Sequence, residues 1–552
     1  MSPRKHTATL WVRMLIAVSL AAGFVLQVQG QDYVRDSAPQ LFSYDELVQL
    51  GQKKLTPQLA EKLKAVLTTP FINNEAYLSG ARPGALEVPE LGPTLRVAFW
   101  NIERGLELDN IQLFITDKDA FMAKVEAERK KAKESGKRVR NVDMEKIRQQ
   151  IEILQAADIW VVNELDWGVK RTRYREVVRE LAKTLNMNWA YGVEFMEIDP
   201  KQLGTDQFDD GEDKTSEEQL QKEFRVDKER LRALHGTAVL SRYPIRSARV
   251  VPFTVGYDWF KESKIRPLEK GKRQAAKLVG EDLMREVRRG QRMTLYVDLD
   301  VPEAPAHRVT IAATHLENRT KPKNRRKQME QLLKQVHDVQ NPVIIAGDMN
   351  TTGSDATPTS AEYYLYKRYG DLDFWATEGL VWTTGVGLIY KAAKTTRNLA
   401  GIEYRVDPTS ANIPGASPNL ESGFFKKLEK YRFDDGTAID FRGVKARTIN
   451  DTAGTLADSN QRQSMGFTPT FVTELIWGNV GIARFKLDWI FVKPDIKKTR
   501  DEEASYIFAP HFARTLADLN NCPPDPLSDH SPMTVDLPFH EPHIVTAKPA
   551  GK

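Results

Sequence analysis

The sequence predicts an α/β protein in which short buried strands alternate with amphipathic helices. Residues 159–163 and 343–346 are short apolar runs, and each follows a segment with apolar residues on one helical face. Such runs are typical of strands buried on both faces, and the preceding spacing is typical of helices. With 552 residues and 41% hydrophobic content, the chain can bury a large core. The pattern therefore favours layered sheets and helices, in one elaborated domain or in two.

The first 30 residues have the features of a secretory signal. Three basic residues accompany the apolar segment 14–26, and small residues allow cleavage near Gly30. An uncleaved anchor is the alternative, but the segment is short for a membrane span. We expect a secreted or periplasmic protein with no stable membrane span in the mature chain.

Overall charge says little about partners, because 80 basic and 75 acidic residues leave a net charge of +5. Local basic clusters at residues 129–140, 170–175 and 321–327 could meet phosphates, although solvated helix faces explain them more simply. Cys522 is the only cysteine, so no intrachain disulfide can form. No protein partner is predicted.

The domain organisation follows from composition. Residues 31–94 are expected to form a helical extension and connector. Leucines recur at helical spacing over residues 44–67, and Pro57 interrupts them, which predicts two short helices. Residues 95–540 form the main domain, and residues 541–552 form a tail. Within the main domain, residues 352–466 are rich in Gly and Tyr and weakly periodic, which indicates an insertion lobe of unassigned fold.

Polar residues follow the predicted strands of the main domain. The strand at 95–101 ends on Asn101, and the strand at 159–163 precedes Glu164. Further strands are predicted at residues 189–195, 235–244, 293–301, 309–314, 343–346, 467–471 and 484–492, with a last one after residue 530. Helices are predicted at 144–154, 174–187 and 323–339. The charged stretches 106–143, 199–232 and 261–291 are interpreted as insertions or surface excursions.

These polar positions can form one site if the strand ends meet at one edge. Hard oxygen donors occur at five of them: Asn101, Glu164, Asp348, Asn350 and Asp529. Such donors suit Mg²⁺ or Mn²⁺, which share their coordination shell with phosphate, whereas a closed zinc site is improbable with so few thiolates and histidines. A carboxylate such as Asp488 could also fix the tautomer of His530.

Seven short motifs then occur in one order: F-W-N-I-E, V-N-E-L-D, G-T-A-V-L-S-R-Y-P, A-T-H-L-E-N, A-G-D-M-N, K-L-D-W-I-F-V and L-S-D-H-S-P. Each is weak alone, but the ordered set resembles the endonuclease/exonuclease/phosphatase superfamily, whose founding type is pancreatic-type deoxyribonuclease. The resemblance spans approximately residues 95–538. It implies a four-layer α/β sandwich, in which two packed β-sheets are flanked by helices.

The resemblance also implies roles. Glu164 would be the principal metal ligand, supported by Asn101 and Asp529. Catalysis would involve Asp348 on the attacking water, Asn350 and His315 on the phosphate, and His530 paired with Asp488. Glu194 would be the carboxylate behind His315 on the substrate side.

Two departures from the family pattern concern the site. Asn163 replaces the usual Gln before the metal-binding Glu, and the lobe at 352–466 is longer than the family minimum. Asp166, Lys170 and Arg171 are interpreted as surface charges, with contact to the substrate as the alternative. Trp100 and Trp489 are interpreted as core residues rather than base-stacking platforms.

The sequence favours an exported, Mg²⁺- or Mn²⁺-dependent phosphoesterase, with nucleic acid as the leading substrate. The alternatives are a phospholipid, as for sphingomyelinases, or an inositol phosphate. A lipid enzyme would need exposed aromatic residues, for which the lobe offers five candidates: Phe374, Trp375, Trp382, Phe424 and Phe425. A non-catalytic binding protein on the same fold is the rival from another class.

Overall fold

Two β-sheets pack face to face in the computed structural model, and helices cover the outer face of each. The structure describes residues 33–84, 86–136, 139, 142–200, 202–205, 225–264, 287–351, 422–440, 470–472, 475–477, 480–483, 486–495 and 507–541. The chain divides into two units, Met1–Val34 and Arg35–Lys552, and every described helix and strand belongs to the second.

The strands are, in chain order, β1 (Asp36–Ser37), β2 (Phe71–Asn73), β3 (Leu86–Val88), β4 (Gly92–Arg104), β5 (Ile159–Trp167), β6 (Asn188–Glu197), β7 (Leu234–Ser241), β8 (Ile245–Pro252), β9 (Arg288–Gly290), β10 (Met293–Asp300), β11 (Arg308–His315), β12 (Val343–Asp348), β13 (Leu475–Trp477), β14 (Val480–Ala483), β15 (Asp488–Lys493), β16 (His511–Thr515) and β17 (Met533–Pro538). Sheet A has the order β1-β2-β6-β7-β5-β4-β17-β16, with β3 paired to β4 and β9 to β6. Sheet B has the order β15-β12-β11-β10-β8, and β13 and β14 form a separate pair.

The helices are, in chain order, α1 (Tyr44–Leu50), α2 (Pro57–Thr68), α3 (Glu75–Leu78), α4 (Leu108–Thr116), α5 (Lys118–Glu134), α6 (Met144–Gln155), α7 (Val177–Leu185), α8 (Trp259–Lys264), α9 (Pro322–Gln335), α10 (Ser422–Lys430) and α11 (Ala517–Asn520). Short 3₁₀ turns occur at Lys170–Thr172 and Pro305–His307. In the part of the chain that is described, no helix has both the length and the apolar character that a membrane crossing requires.

Three apolar clusters hold the layers together. Between the sheets, Phe99 and Val161 of sheet A meet Ile311 and Ile344 of sheet B. Behind sheet A, Trp100 and Trp160 pack among α4 to α7, and behind sheet B, Ile345 and Phe491 pack against α9 and α10. All these side chains are buried. Successive residues of a strand point to opposite faces of the sheet, and here the other sheet covers one face and helices cover the other. The predicted four-layer α/β sandwich is confirmed.

Most predicted elements are present, with three differences. The charged stretch 106–143 forms α4 and α5, whose Phe114 and Phe121 are buried against each other in the core. The basic stretch 261–291 ends in β9, which pairs with β6. In the N-terminal segment, Pro57 begins α2 as expected, but β2 also pairs with β6 and so extends sheet A.

Two sequence predictions fall on residues outside those described. The signal segment 1–30 is one of them. The other is the lobe 352–466, of which only residues 422–440 are described.

The strand register brings the predicted polar residues to one end of both sheets. Asn101 on β4 is the parallel partner of Asn163 on β5, and His315 on β11 is the parallel partner of Asp348 on β12. Asp348 is also the antiparallel partner of Asp488 on β15. Because parallel neighbours end at the same edge, a site can form there.

Candidate active site

Local backbone irregularities direct several side chains towards the end of the two sheets where these polar residues meet. The β5 ladder shifts register between Val162 and Leu165, and Glu164 adopts a left-handed conformation with φ of 56°. Glu103, at the end of β4, and Asn350, after β12, are also left-handed, with φ of 46° and 48°. Such conformations are costly for residues other than glycine, and they occur preferentially at functional sites.

Asp348 is held rigidly by its neighbours. Its backbone N–H donates to Asn163 Oδ1 (2.9 Å), and its Oδ1 accepts from the backbone N–H of Asn350 (2.8 Å). The side chain of Asn350 donates to the carbonyl oxygen of Leu316 (2.9 Å). The amide at position 163 therefore positions Asp348 directly, which gives this departure from the family pattern a structural role.

Two histidines converge on the second oxygen of the same carboxylate. Asp348 Oδ2 lies 3.3 Å from Nε2 of His315 and 3.7 Å from Nε2 of His530. Burial opposes ionisation of Asp348, but the two histidines outweigh it and lower the pKa of this carboxyl. Asp348 is therefore a carboxylate at neutral pH, and it can orient or deprotonate a water.

His530 forms a dyad with Asp488. The Nδ1–H of His530 donates to Asp488 Oδ2 (2.8 Å), and the edge of the ring packs on Phe471. Burial lowers the pKa of His530, but Asp488, Asp529 and Asp348 together raise it well above its ordinary value. His530 is therefore a cation at neutral pH, suited to stabilising a phosphoryl group or donating a proton.

Three half-buried carboxylates lie beside Asp348: Glu103, Glu164 and Asp529. Asn101 Nδ2 lies 3.4 Å from both Glu164 Oε1 and Asp348 Oδ2, and its Oδ1 accepts from the backbone N–H of Glu103 (3.1 Å). Partial burial and the charges of Glu103 and Glu164 raise the pKa of Asp529 to about 7. Burial and the charge of Glu164 likewise raise the pKa of Glu103.

This carboxylate group fits a hard divalent cation. Oxygen donors are the ligands that Mg²⁺ and Mn²⁺ prefer, and a cation would relieve the repulsion that raises the pKa of Asp529. Asp348, Asp488 and His530 also have ligand atoms within 4.8 Å of one another. Since Asp488 already engages the Nδ1 of His530, we interpret that group as a catalytic dyad beside Asp348 rather than as the metal site.

The structure thus brings together eight of the nine predicted site residues: Asn101, Glu164, His315, Asp348, Asn350, Asp488, Asp529 and His530. Glu194 is buried one layer deeper, where Arg292 lies between it and His315. Sequence reasoning missed Glu103 and Arg292. Glu103 could have been found inside the F-W-N-I-E motif, whereas Arg292 follows a basic stretch and carries no motif signal.

Asp166 is not the surface charge that the sequence indicated. It is completely buried, accepts from Nε of Arg171 (2.6 Å), and lies 2.9 Å from Nδ1 of His235. These two contacts satisfy a carboxylate that follows Glu164 by two positions on β5. Trp100 and Trp489 are buried core residues, as predicted.

Several solved structures resemble this chain at low sequence identity. No curated protein sequence is similar enough to the chain to count as a relative. Among solved structures, an endonuclease/exonuclease/phosphatase from Beutenbergia cavernae has 15% identity and a TM-score of 0.35, covering 81% of this chain and 71% of that chain. The human Nocturnin catalytic domain has 13% identity and a TM-score of 0.33, with coverages of 81% and 95%. A 3'-5' exonuclease from Neisseria meningitidis has 10% identity and a TM-score of 0.32, with coverages of 80% and 99%.

The family model described as "Endonuclease/Exonuclease/phosphatase family" matches residues 99–530. This match covers most of the chain and runs from the strand that carries Asn101 to His530 itself. Its members are metal-dependent hydrolases of phosphoester bonds. The chain belongs to the endonuclease/exonuclease/phosphatase family.

Proposed function

We propose that this protein hydrolyses phosphodiester bonds by direct attack of water on phosphorus, without a covalent intermediate, and that its substrate is a nucleic acid. The observation that carries the mechanism is the convergence of two histidines on Asp348 beside three carboxylates. A single anionic oxygen flanked by two hydrogen-bond donors can bind and activate a water.

Each residue has a distinct part in this mechanism. Asp348 orients the water and accepts its proton. His530, as a cation, stabilises the charge that develops on the phosphoryl oxygens and protonates the leaving oxygen, while Asp488 fixes its orientation. Glu103, Glu164 and Asp529 would hold Mg²⁺ or Mn²⁺. Bound there, the ion supplies Lewis-acid stabilisation of a phosphoryl oxygen.

A basic groove between α9 and α10 supports nucleic acid as the substrate. The groove has a volume of about 510 Å³, and one carboxylate, Glu330, accompanies five cations along it: Arg326, Lys426, Lys427, Lys430 and Arg432. Phosphate backbones bind where lysines and arginines line a surface in excess of acidic residues. The predicted basic cluster 321–327 contributes only Arg326 to it.

The groove extends away from the catalytic edge of sheet B. Helix α9 begins shortly after His315, and α10 runs beside it in the same direction. Gly423 lies against Arg326 near the start of both helices, and Tyr431 Oη donates to the carbonyl oxygen of Leu333 near their ends (2.7 Å). We propose that a nucleic acid bound at the site places further phosphates in this groove.

The phospholipid alternative receives less support. Phe424 and Phe425 are each 1% exposed and pack behind sheet B, so neither offers an apolar surface to a bilayer. The other three aromatic candidates of the lobe, Phe374, Trp375 and Trp382, lie outside the described residues.

The proposed function is tested with purified protein on single-stranded DNA, RNA, sphingomyelin, inositol phosphates and a small phosphodiester, in Mg²⁺, Mn²⁺ or EDTA. We expect cleavage of a polynucleotide that EDTA abolishes, and loss of that activity in Glu164→Ala and in His530→Ala. Full activity in EDTA would contradict the metal dependence. Faster cleavage of sphingomyelin or of an inositol phosphate would show that this compound, and not nucleic acid, is the preferred substrate.

A groove variant that lacks three positive charges tests the substrate assignment separately. Replacing Lys426, Lys427 and Lys430 with Gln should raise the KM for a polynucleotide and leave turnover of the small phosphodiester unchanged. The slope of log KM against log salt should fall by about 0.7 for each phosphate of a single strand that the variant no longer neutralises. The matched control replaces three lysines of α5, Lys130, Lys131 and Lys133, in the helix layer behind sheet A, and should leave KM unchanged.

We also propose that the protein is exported to the periplasm or the medium. The support is the sequence of residues 1–30, with basic residues accompanying an apolar segment that ends in small residues. Fractionation of cells expressing the full chain, followed by N-terminal sequencing, should give an extracytoplasmic protein that starts near residue 31. A cytoplasmic protein that retains the segment would contradict export.

A further inference from the structure

An arginine lies between the buried carboxylate and the first histidine of the site. Arg292 Nη1 donates to Glu194 Oε2 and lies 2.7 Å from Nδ1 of His315. The direct separation between Glu194 Oε2 and His315 Nδ1 is 4.0 Å, too long for a hydrogen bond. All three side chains are at most 3% exposed, so water does not compete for these contacts.

The chemistry of the guanidinium decides where the proton of His315 lies. Arginine only donates hydrogen bonds, so Nδ1 of His315 must accept and therefore carries no proton. The ring proton is then on Nε2, which faces Asp348 Oδ2 at 3.3 Å. His530 has the opposite arrangement, because its Nδ1 faces the carboxylate of Asp488 and donates to it.

We propose that Arg292 is a positioning residue that holds His315 as the neutral Nε2–H tautomer. His315 is then a fixed hydrogen-bond donor towards Asp348 and the substrate phosphate, and His530 is the cation of the pair. The tautomer follows from the contacts alone, whereas its effect on turnover rests on the proposed function.

The alternative arrangement shows why the arginine is needed. If Glu194 faced Nδ1 directly, as a carboxylate behind a histidine does, it would accept a hydrogen bond from Nδ1–H. The lone pair of Nε2 would then face Asp348 Oδ2, which is an unfavourable contact between two acceptors. Thr237 Oγ1 donates to the other oxygen of Glu194 (2.5 Å), so Glu194 is fully engaged without His315.

The tautomer is measured by ¹H–¹⁵N correlation spectra of the full-length protein labelled with ¹⁵N-histidine. In the wild type, the signal of His315 should show a proton on Nε2 and none on Nδ1. Arg292→Met should move the proton to Nδ1, because Glu194 becomes the only partner there. In the double variant Arg292→Met/Glu194→Gln, the amide of Gln can donate to Nδ1, and the Nε2–H tautomer should return.

The double variant also protects the test against misfolding, since Arg292→Met alone leaves the buried charge of Glu194 unpaired. The matched control is Arg288→Met, which removes another buried arginine of the same segment, one that packs on Trp259 and does not contact His315. A wild-type His315 protonated on Nδ1, or a double variant that keeps the Nδ1–H form, would overturn the proposal.

Turnover provides the second readout. Arg292→Met should lower kcat by about 10²-fold, the usual effect of losing one oriented donor, with a smaller change in KM. The double variant should recover most of this loss, and Arg288→Met should retain wild-type kcat. A double variant as slow as Arg292→Met would overturn the positioning role. If no substrate is turned over at all, the proposed function fails, while the spectra still decide the tautomer.

Discussion

Replacing Asp488 with Asn removes one charge from the His530 dyad and keeps its shape. Asn retains an oxygen that can accept from Nδ1 of His530, so the 2.8 Å hydrogen bond can persist. The backbone N–H of residue 488 still has Thr470 Oγ1 as its acceptor (3.3 Å). The substitution therefore tests the charge of the dyad rather than its geometry.

The expected loss follows from what the charge does. Burial lowers the pKa of His530, whereas three carboxylates raise it. Among these, Asp488 has the largest effect. Without Asp488, His530 releases its proton at lower pH. General acid–base catalysis usually contributes about 10²- to 10⁴-fold, so kcat at neutral pH should fall by that factor, which corresponds to about 3–5 kcal/mol of transition-state stabilisation.

The assay is steady-state hydrolysis of a small phosphodiester in saturating Mg²⁺ across a range of pH. The alkaline limb of the profile should move to lower pH in Asp488→Asn, because the protonated form of His530 is the active one. Asp536→Asn is the control, since it removes a buried carboxylate that pairs with Arg96 away from the site. Wild-type turnover with an unmoved alkaline limb in Asp488→Asn would refute the reasoning.

Three further outcomes follow from the same structure. Mg²⁺ at about 100 times its Kd should stabilise the wild type by about 2.7 kcal/mol in thermal melts, and Glu164→Gln should lose this shift; an equal shift in the variant would place the ion elsewhere. Burial raises the pKa of Asp158 to about 6, so its ionised form destabilises the fold and stability is lost as pH rises from about 4 to about 6. Asp158→Asn should therefore gain up to about 3 kcal/mol over the wild type above pH 6 and little near pH 4, as measured by urea unfolding at both pH values; a gain independent of pH would contradict this. Phe425→Ala should cost about 3–5 kcal/mol in urea unfolding, because Phe425 is buried against Trp489 with ring centroids 5.1 Å apart; a loss below 1 kcal/mol would show that α10 does not anchor to sheet B.

The sequence predicted the strand ends well because local patterns decide them. Residues 159–163 and 343–346 are apolar enough to form buried strands wherever they lie, and the polar residues after them are fixed by chain order. The parallel register then carries Asn101 to the same edge as Asn163, and His315 to the same edge as Asp348. The ordered motifs also predicted that Asp488 pairs with His530. In the structure, Asp488 Oδ2 lies 2.8 Å from Nδ1 of His530.

Charged segments were predicted less well, because their burial depends on partners distant in sequence. Asp166 is buried because Arg171 pairs with it and His235 hydrogen-bonds to it. The stretch 106–143 has the composition of a solvated insertion, yet the buried sides of α4 and α5 complete the layer behind sheet A.

The sequence by itself determined the fold class, the family motifs and eight residues of the site. Periodicity and motif order are properties of the linear sequence, so they can be recognised without the structure. Only the tertiary structure decided that Arg292, from the turn before β10, lies between Glu194 and His315. That arrangement joins β6 of sheet A and β11 of sheet B through the turn between β9 and β10, and no local pattern encodes it. It also decides which histidine is neutral, because the group beside each ring nitrogen determines whether that nitrogen carries a proton.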